Sequence, residues 1–329
     1  MLLTDTDILN AQQRISPYVT RTPLLTSSLL DRWLNHKIIF KAECFQKIGA
    51  FKVRGALNTL LRLKEQNKLP KKVVAYSSGN HAQAVAYASK MLDVEATIIM
   101  PAFASTIKQQ ATISYGATLE TTPTRQEAEA RAHALTAEGY YLLPPYDHDD
   151  VISGQATACL EALEDSTNVS AIFTPVGGGG LISGTFLAAK IHNIAVYGGE
   201  PSIANDAAKS YRNGKICTLP NTPPTIADGV QTLSVSSRTF DYIQQLNGII
   251  EVSERDIIYW VQWLNHLLKI SVEPASAVAM AAAAHWIKEK TEPQTILIIL
   301  SGGNISPETQ RKIWKDNYLE TTPEQWINL

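Results

Sequence analysis

The chain has 329 residues, enough for one large domain or two modest ones, and its 45% hydrophobic and 18% charged residues suit a protein with a sizeable buried core. A formal net charge of -2 offers no basic surface to nucleic acid or to an anionic membrane, and no apolar run reaches membrane-spanning length. Cys44, Cys159 and Cys217 lack metal-ligand spacing, and the acidic start Met1-Leu2-Leu3-Thr4-Asp5 carries no basic region ahead of an apolar run, so the expected location is the reducing cytoplasm.

Along the chain, a short helix over 7–16 precedes the extended Thr22-Pro23-Leu24-Leu25, whose residue before proline avoids the helical region. A strand at 37–41 is followed by Gly49-Ala50-Phe51-Lys52-Val53-Arg54-Gly55-Ala56, which opens a helix through Leu63. Strands and helices then alternate. Strands are expected at 73–76, 96–100, 117–120 and 140–143, with helices at 80–92, 105–115 and 124–137 between them. The rhythm continues with a helix at 150–163, a strand at 171–176, a helix at 182–191 and a strand at 194–198. A helix at 238–246, a strand at 249–252, helices at 254–268 and 275–288 and a strand at 296–300 complete it. This alternation predicts an α/β protein with parallel sheets flanked by helices, in which a ligand sits at the carboxyl ends of the strands.

The candidate motifs fall at those ends. Thr174-Pro175-Val176-Gly177-Gly178-Gly179-Gly180-Leu181 joins a buried strand to a helix, and glycines there let the backbone approach an anion with consecutive N–H groups at the helix's positive end. We read it as a phosphate cradle. Lys52 lies between Phe51 and Val53 at a helix start, where an apolar setting lowers a lysine pKa and makes the amine a nucleophile, although a surface lysine on an amphipathic helix has the same pattern. Ser77-Ser78-Gly79-Asn80-His81 follows a strand and opens a helix. Its hydroxyls, amide and N–H groups suit a carboxylate, and equally one of them can be a helix cap. Glu200 and Asp206 flank Pro201-Ser202-Ile203-Ala204-Asn205, a spacing that with a loop carbonyl can hold a hard divalent cation or simply decorate a surface. Ser301-Gly302-Gly303-Asn304 is a second glycine-containing loop after a strand.

Taken together and in this order, Phe51-Lys52-Val53-Arg54-Gly55-Ala56, Ser77 to His81, Gly177 to Gly180 and Ser301 to Asn304 resemble the fold-type-II pyridoxal-phosphate enzymes, within them the serine/threonine dehydratase and serine racemase branch, over roughly residues 5–315. The resemblance implies two parallel-sheet domains of the tryptophan synthase β-like architecture, a large one at 1–71 and 148–329 and a small inserted one at 72–147. It implies that Lys52 holds pyridoxal 5'-phosphate covalently and moves the Cα proton, and that Gly177, Gly178, Gly179, Gly180 and Leu181 bind the phosphate. Phe51 would pack on the ring, Asn80 would bond the ring hydroxyl, and Ser301 would face the ring nitrogen. Ser77, Asn80 and His81 would hold the substrate carboxylate. Glu200, the Ala204 carbonyl and Asp206 match the Mg2+ or Ca2+ loop of serine racemases, and Ser78 takes the place of the racemase's second-face base. Pro144-Pro145-Tyr146-Asp147 is more similar to the degradative threonine dehydratases, and Ala50 stands where the family has serine.

The implied reaction is elimination of water from a 3-hydroxy amino acid such as L-threonine or L-serine, giving a 2-oxo acid and ammonia. The alternatives are serine racemisation, alone or beside elimination, and dehydration of 3-hydroxyaspartate. The expected partners are a small amino acid and further copies of the chain, as a homodimer or other homo-oligomer, with neither nucleic acid nor membrane. From another class, strand, glycine loop, helix, strand and Glu200 imitate the dinucleotide unit of a nicotinamide oxidoreductase. However, Ile182 or Ser183 stands where the third glycine belongs, and that reading leaves Lys52 and Ser301 unexplained.

Overall fold

Short β-branched runs and longer amphipathic segments sort this chain into two sheets and the helices that cover them. The computed structural model describes residues 2–102 and 104–328. In chain order the strands are β1 (Leu24–Leu25), β2 (Lys37–Ala42), β3 (Lys72–Tyr76), β4 (Glu95–Pro101), β5 (Thr118–Thr122), β6 (Tyr141–Leu142), β7 (Ala171–Pro175), β8 (Ala195–Pro201), β9 (Gly248–Val252) and β10 (Thr295–Leu300). One sheet has the order β1-β2-β10-β7-β8-β9 and the other β5-β4-β3-β6. The pairings are parallel, as expected, except that of the two-residue edge strand β1, which runs antiparallel to β2. Every strand of the smaller sheet comes from residues 72–142.

Strands at the centre of the larger sheet read as unbroken apolar runs because both faces are covered. In β10, Ile296, Ile298 and Leu300 face a cluster with Trp260, Val278 and Met280, while Leu297 and Ile299 face another with Ile152, Leu160 and Ile182. Helices Glu254–Leu268 and Pro274–Ile287 contribute to the first layer, and helices Asp149–Glu164 and Gly180–Ile191 to the second.

Helix Asp149–Glu164 is the hub on the second face, and glycine makes it one. A Cβ on Gly154 would sit 2.7 Å from the Arg54 carbonyl oxygen and the Gly55 Cα of helix Lys52–Glu65. A Cβ on Gly184 would sit 2.6 Å from the Ala156 nitrogen. The helix that begins at Lys52 and the helix that follows the tetraglycine loop are thus both seated backbone-to-backbone on one rod.

A buried ion network locks the first of these contacts. Arg54 forks onto Glu43 with its Nε and Nη2 at 2.7 and 2.8 Å, and onto Glu161 with its Nη1 and Nη2, both at 2.8 Å. Lys41 Nζ donates to the same Glu161 at 2.7 Å and to the Thr22 carbonyl at 2.8 Å, and Thr22 Oγ1 donates to Glu43 at 2.6 Å. Burial alone would raise the Glu43 pKa; the Arg54 guanidinium holds it below the usual carboxylate range. Two cations and two anions cancel out of water, each carboxylate oxygen holding a donor.

Helices Ser28–Leu34, Asp206–Asn213, Pro307–Ile313 and Pro323–Ile327 go beyond the elements expected from the sequence. Each is short, five to eight residues, and three of them are set by caps rather than by periodicity: Ser27, Ser306 and Thr322 accept from N–H groups of the first turn.

Replacing Arg54 by methionine leaves Glu43 and Glu161 to share Lys41. Urea unfolding of the cofactor-free protein should then show a loss of roughly 3–5 kcal/mol, as for other broken buried networks. A loss below about 1 kcal/mol would mean that the network does not hold the helix in place.

Candidate active site

The carboxyl ends of β2, β3, β7 and β10 open onto one cleft of about 860 Å³. Phe51, Lys52, Ser77, Ser78, Asn80, His81, Gly177, Gly178, Gly179, Gly180, Leu181 and Ser301, expected from four separate motifs, all line it. Backbone pairing draws the lysine loop to the end of β10. Phe51 N–H donates to the Ser301 carbonyl at 3.0 Å, Gly303 N–H donates to the Gly49 carbonyl at 2.9 Å, and Ala50 bridges to Gly302.

Lys52 Nζ donates to the Pro145 carbonyl at 2.7 Å and lies 5.3 Å from the centre of the Phe51 ring. Burial lowers its pKa to about 8, against the pull of Glu273. A neutral amine is therefore available near physiological pH, which an exposed lysine does not offer.

The tetraglycine loop fits a phosphate. Gly179 has φ +94° and caps helix Gly180–Ile191, whose first N–H groups have no acceptor within the helix. A Cβ on Gly178 would lie 2.2 Å from the Tyr146 ring, and one on Gly179 would lie 2.7 Å from Thr239 Cβ. Thr239 Oγ1 donates to the Gly178 carbonyl at 2.9 Å, and its neighbour Arg238 pairs with Asp147 and Asp149, so the helix Ser237–Ile243 ties the loop to the segment beneath Lys52.

The Ser77–His81 loop splits in its behaviour. Ser78 lines the cleft, while Ser77 Oγ accepts from Gly79 N–H at 3.2 Å. His81 is buried with Nε2 2.9 Å from the Leu143 carbonyl; burial lowers its pKa to about 3, so its ring is neutral. Asn80 is fixed on both sides of its amide. Asn304 Nδ2 donates to its Oδ1 at 2.8 Å, and its own Nδ2 donates to both Glu273 oxygens at 3.1 and 3.0 Å.

Sequence alone does not single out Glu273. It precedes Pro274 at the start of an alanine-rich helix, so it reads as an ordinary cap, and only the fold brings it beside Asn80 and Ser301. The same holds for Lys108 and Arg125, which both line the cleft from the side of the smaller sheet. Lys108 is hydrogen-bonded to Asp228, and Arg125 Nη2 donates to Gln231 Oε1 at 3.1 Å, with burial lowering the Arg125 pKa.

Glu200, Ala204 and Asp206 do not line this cleft; they lie beyond it at the end of β8. Glu200 accepts from the N–H groups of Ala207 and Ala208 at 3.0 and 2.8 Å, and burial raises its pKa well above the usual range. Neither oxygen of buried Asp206 has a hydrogen-bond partner at normal geometry; burial raises it to about 7, opposed by the N–H groups of Asp206 and Val235 and by Lys209. Orphaned buried carboxylate oxygens fit a cation. Among the described residues no group of three His, Cys, Asp or Glu side chains is gathered, so backbone oxygens would have to complete such a site.

Residues 15–302 match the pyridoxal-phosphate dependent enzyme family, and the chain belongs to it. It is 43% identical over 304 residues to the L-threo-3-hydroxyaspartate ammonia-lyase of Saccharomyces cerevisiae, covering 91% of this chain and 92% of that one. It is 41% identical over 313 residues to the serine racemase of Schizosaccharomyces pombe, covering 94% and 96%. Among solved structures it is similar to maize serine racemase, with a TM-score of 0.89, 38% identity and coverage of 97% and 99%. It is also similar to the T.th. threonine deaminase, with a TM-score of 0.86, 41% identity and coverage of 92% and 99%. The fold is thus the fold-type-II architecture, the cofactor pyridoxal phosphate, and the activity that of the ammonia-lyase and racemase group. The nicotinamide alternative falls: the chain belongs to the pyridoxal-phosphate dependent family, and Lys52 and the tetraglycine loop line one cleft.

Proposed function

We propose that this enzyme eliminates water from a 3-hydroxy amino acid, and that the released enamine then takes up water to give a 2-oxo acid and ammonia. The carrying observation is a buried lysine, Lys52, with a lowered pKa on the wall of a cleft that also holds the glycine cradle. When bound, the cofactor supplies a sink for the electrons left at Cα. Phe51 packs along the ring, and the Gly177–Leu181 backbone takes the phosphate. Asn80, held between Asn304 and Glu273, would bond the ring hydroxyl by turning toward it one of the two Nδ2 hydrogens it otherwise gives to Glu273. Lys52 moves the Cα proton, and Ser77 and the N–H groups of its loop hold the substrate carboxylate. Lys108 and Arg125 on the far wall are accompanied by Asp228 and Glu129 on the same cleft, and Lys108 is paired with Asp228, so the substrate is a 3-hydroxy amino acid such as L-threonine or L-serine, with 3-hydroxyaspartate as the alternative.

Serine racemisation is the second reading, favoured by the place of Ser78 on the cleft. A racemase must deliver a proton to the face opposite Lys52, whereas elimination needs only one face. Ser78→Ala should abolish D-serine formation from L-serine while leaving oxo-acid formation within about tenfold, a barrier change of roughly 1.4 kcal/mol. Following both products from L-serine, L-threonine and L-threo-3-hydroxyaspartate tests the whole assignment. No oxo acid from any of the three would overturn elimination, equal loss of both products in the variant would make Ser78 a positioning residue, and no D-serine from the wild type would end the racemase reading.

Glu200, the Ala204 carbonyl and Asp206 are proposed to hold Mg2+ or Ca2+ through hard oxygens, as a structural or activating site. Either ion should raise the melting temperature of the wild type in proportion to the logarithm of its concentration. Asp206→Ala and Glu200→Ala variants that keep the full shift would place the ion elsewhere.

The sheet division supports a small domain at 72–147 set into a large one at 1–71 and 148–329, testable by the pattern of hydrogen-exchange slowing on ligand binding. Three unpaired thiols fit the cytoplasm, which fractionation would test, and exposed Phe45, Ile107 and Ile113 offer apolar surface to a second copy, which light scattering would test. None of the described helices is long and apolar enough to cross a membrane.

A further inference from the structure

Behind Ser301 lies a group whose protonation changes what Ser301 can offer. Ser301 Oγ is 3.3 Å from Glu273 Oε1 and 3.2 Å from Ser276 Oγ. Ser276 gives its own hydrogen to the Gly302 carbonyl at 2.8 Å and accepts Gly302 N–H at 3.0 Å, so toward Ser301 it presents only a lone pair. A serine hydroxyl has one hydrogen. It must go to Glu273, to Ser276 or to the ligand in the cleft.

An ionised Glu273 is acceptor-only and draws that hydrogen by a charge-assisted bond, which turns a lone pair of Ser301 toward the cleft. A protonated Glu273 can itself donate to Ser301, which frees the Ser301 hydrogen for the cleft. Asn80 does not interfere, because its Nδ2 can donate to either carboxyl form while Asn304 fixes its amide orientation. Both forms are accessible near neutrality, since burial raises the Glu273 pKa to about 7, with Asn80 and Ser301 opposing that rise. The charged groups facing it are Asp228, which raises it further, and Lys108, which lowers it. Lys52 lies across the cleft, and the nearby Cys44 thiol, pushed up to about 12 by burial, stays neutral.

We propose that Glu273 is the proton-holding end of a relay through the Ser301 hydroxyl, so that its protonation decides whether the ring nitrogen of the bound cofactor meets a hydrogen or a lone pair. This rests on the reading that Ser301 faces that nitrogen. A ring nitrogen that receives a hydrogen bond withdraws electrons from the rest of the ring more strongly than one facing a lone pair. Glu273 would therefore tune the electron sink without touching substrate, as a positioning residue.

The test uses holoenzyme loaded with pyridoxal phosphate carrying 15N in the ring, read by NMR between pH 5.5 and 8.5 without substrate. In the wild type the ring resonance should move with a midpoint near the Glu273 pKa of about 7. In Glu273→Gln that titration should vanish while the Asn80 contact is kept, and in Ser301→Ala the resonance should lie near that of an unbonded ring nitrogen and not titrate. A Glu273→Gln enzyme that titrates like the wild type, with Ser301→Ala flat, would overturn the relay and leave Ser301 at the nitrogen. A Ser301→Ala resonance unchanged from wild type would overturn the placement of Ser301 and the relay with it. Should glutamine prevent folding, Glu273→Asp serves instead: its midpoint should shift, and an unmoved midpoint overturns the proposal.

Discussion

The double fork of Arg54 onto Glu43 and Glu161 is the constraint from which the site follows. Arg54 stands two residues after Lys52, on the first turn of the same helix. Its partners come from the segment after β2 and from the hub helix Asp149–Glu164, and Lys41 closes the ring from β2 itself. A buried guanidinium with bidentate geometry tolerates little rotation or sliding of its helix. The first residue of that helix is therefore held at a fixed angle over the cleft. The same hub carries the helix that follows the tetraglycine loop at Gly184, so lysine and loop share one reference frame.

Burial then acts on the ionisable groups of the cleft in opposite senses. It pulls the Lys52 ammonium down to about 8 and pushes the Glu273 carboxyl up to about 7, because each charged form loses water. His81 shows the limit of the effect: burial drives it down to about 3, so its ring stays neutral while Nε2 lies against the Leu143 carbonyl. The cofactor-free protein thus bears a stability cost that runs with pH. Glu273 keeps its proton when folded and loses it near 4.5 when unfolded, so over that interval the unfolded chain binds fewer protons and stability falls as pH rises.

The strands of the larger sheet are legible in part from sequence, because buried parallel strands such as Thr295–Leu300 and Ala171–Pro175 are apolar runs with glycine-containing loops at their ends. The residues that line the cleft within those motifs are legible for the same reason. Glu273, Lys108 and Arg125 are not, since each sits on an ordinary helix start or helix face and acquires meaning only when the two sheets meet across the cleft. Arg54 stands in plain view beside Lys52, yet its partners lie 11 and 107 residues away in sequence, and no periodicity connects them. The short helix Asp206–Asn213 is hidden because its start is the same Asp206 that reads as a loop ligand.

The central claim is that Lys52 is the amine that carries the chemistry. Reduction of the holoenzyme with borohydride, followed by proteolysis and mass spectrometry, fixes the cofactor to the amine that bears it. The account predicts a pyridoxyl mass increment on Lys52 alone, in the peptide containing Phe51-Lys52-Val53-Arg54. A label on any other lysine, or an unlabelled Lys52 in enzyme that has retained its cofactor, would contradict it.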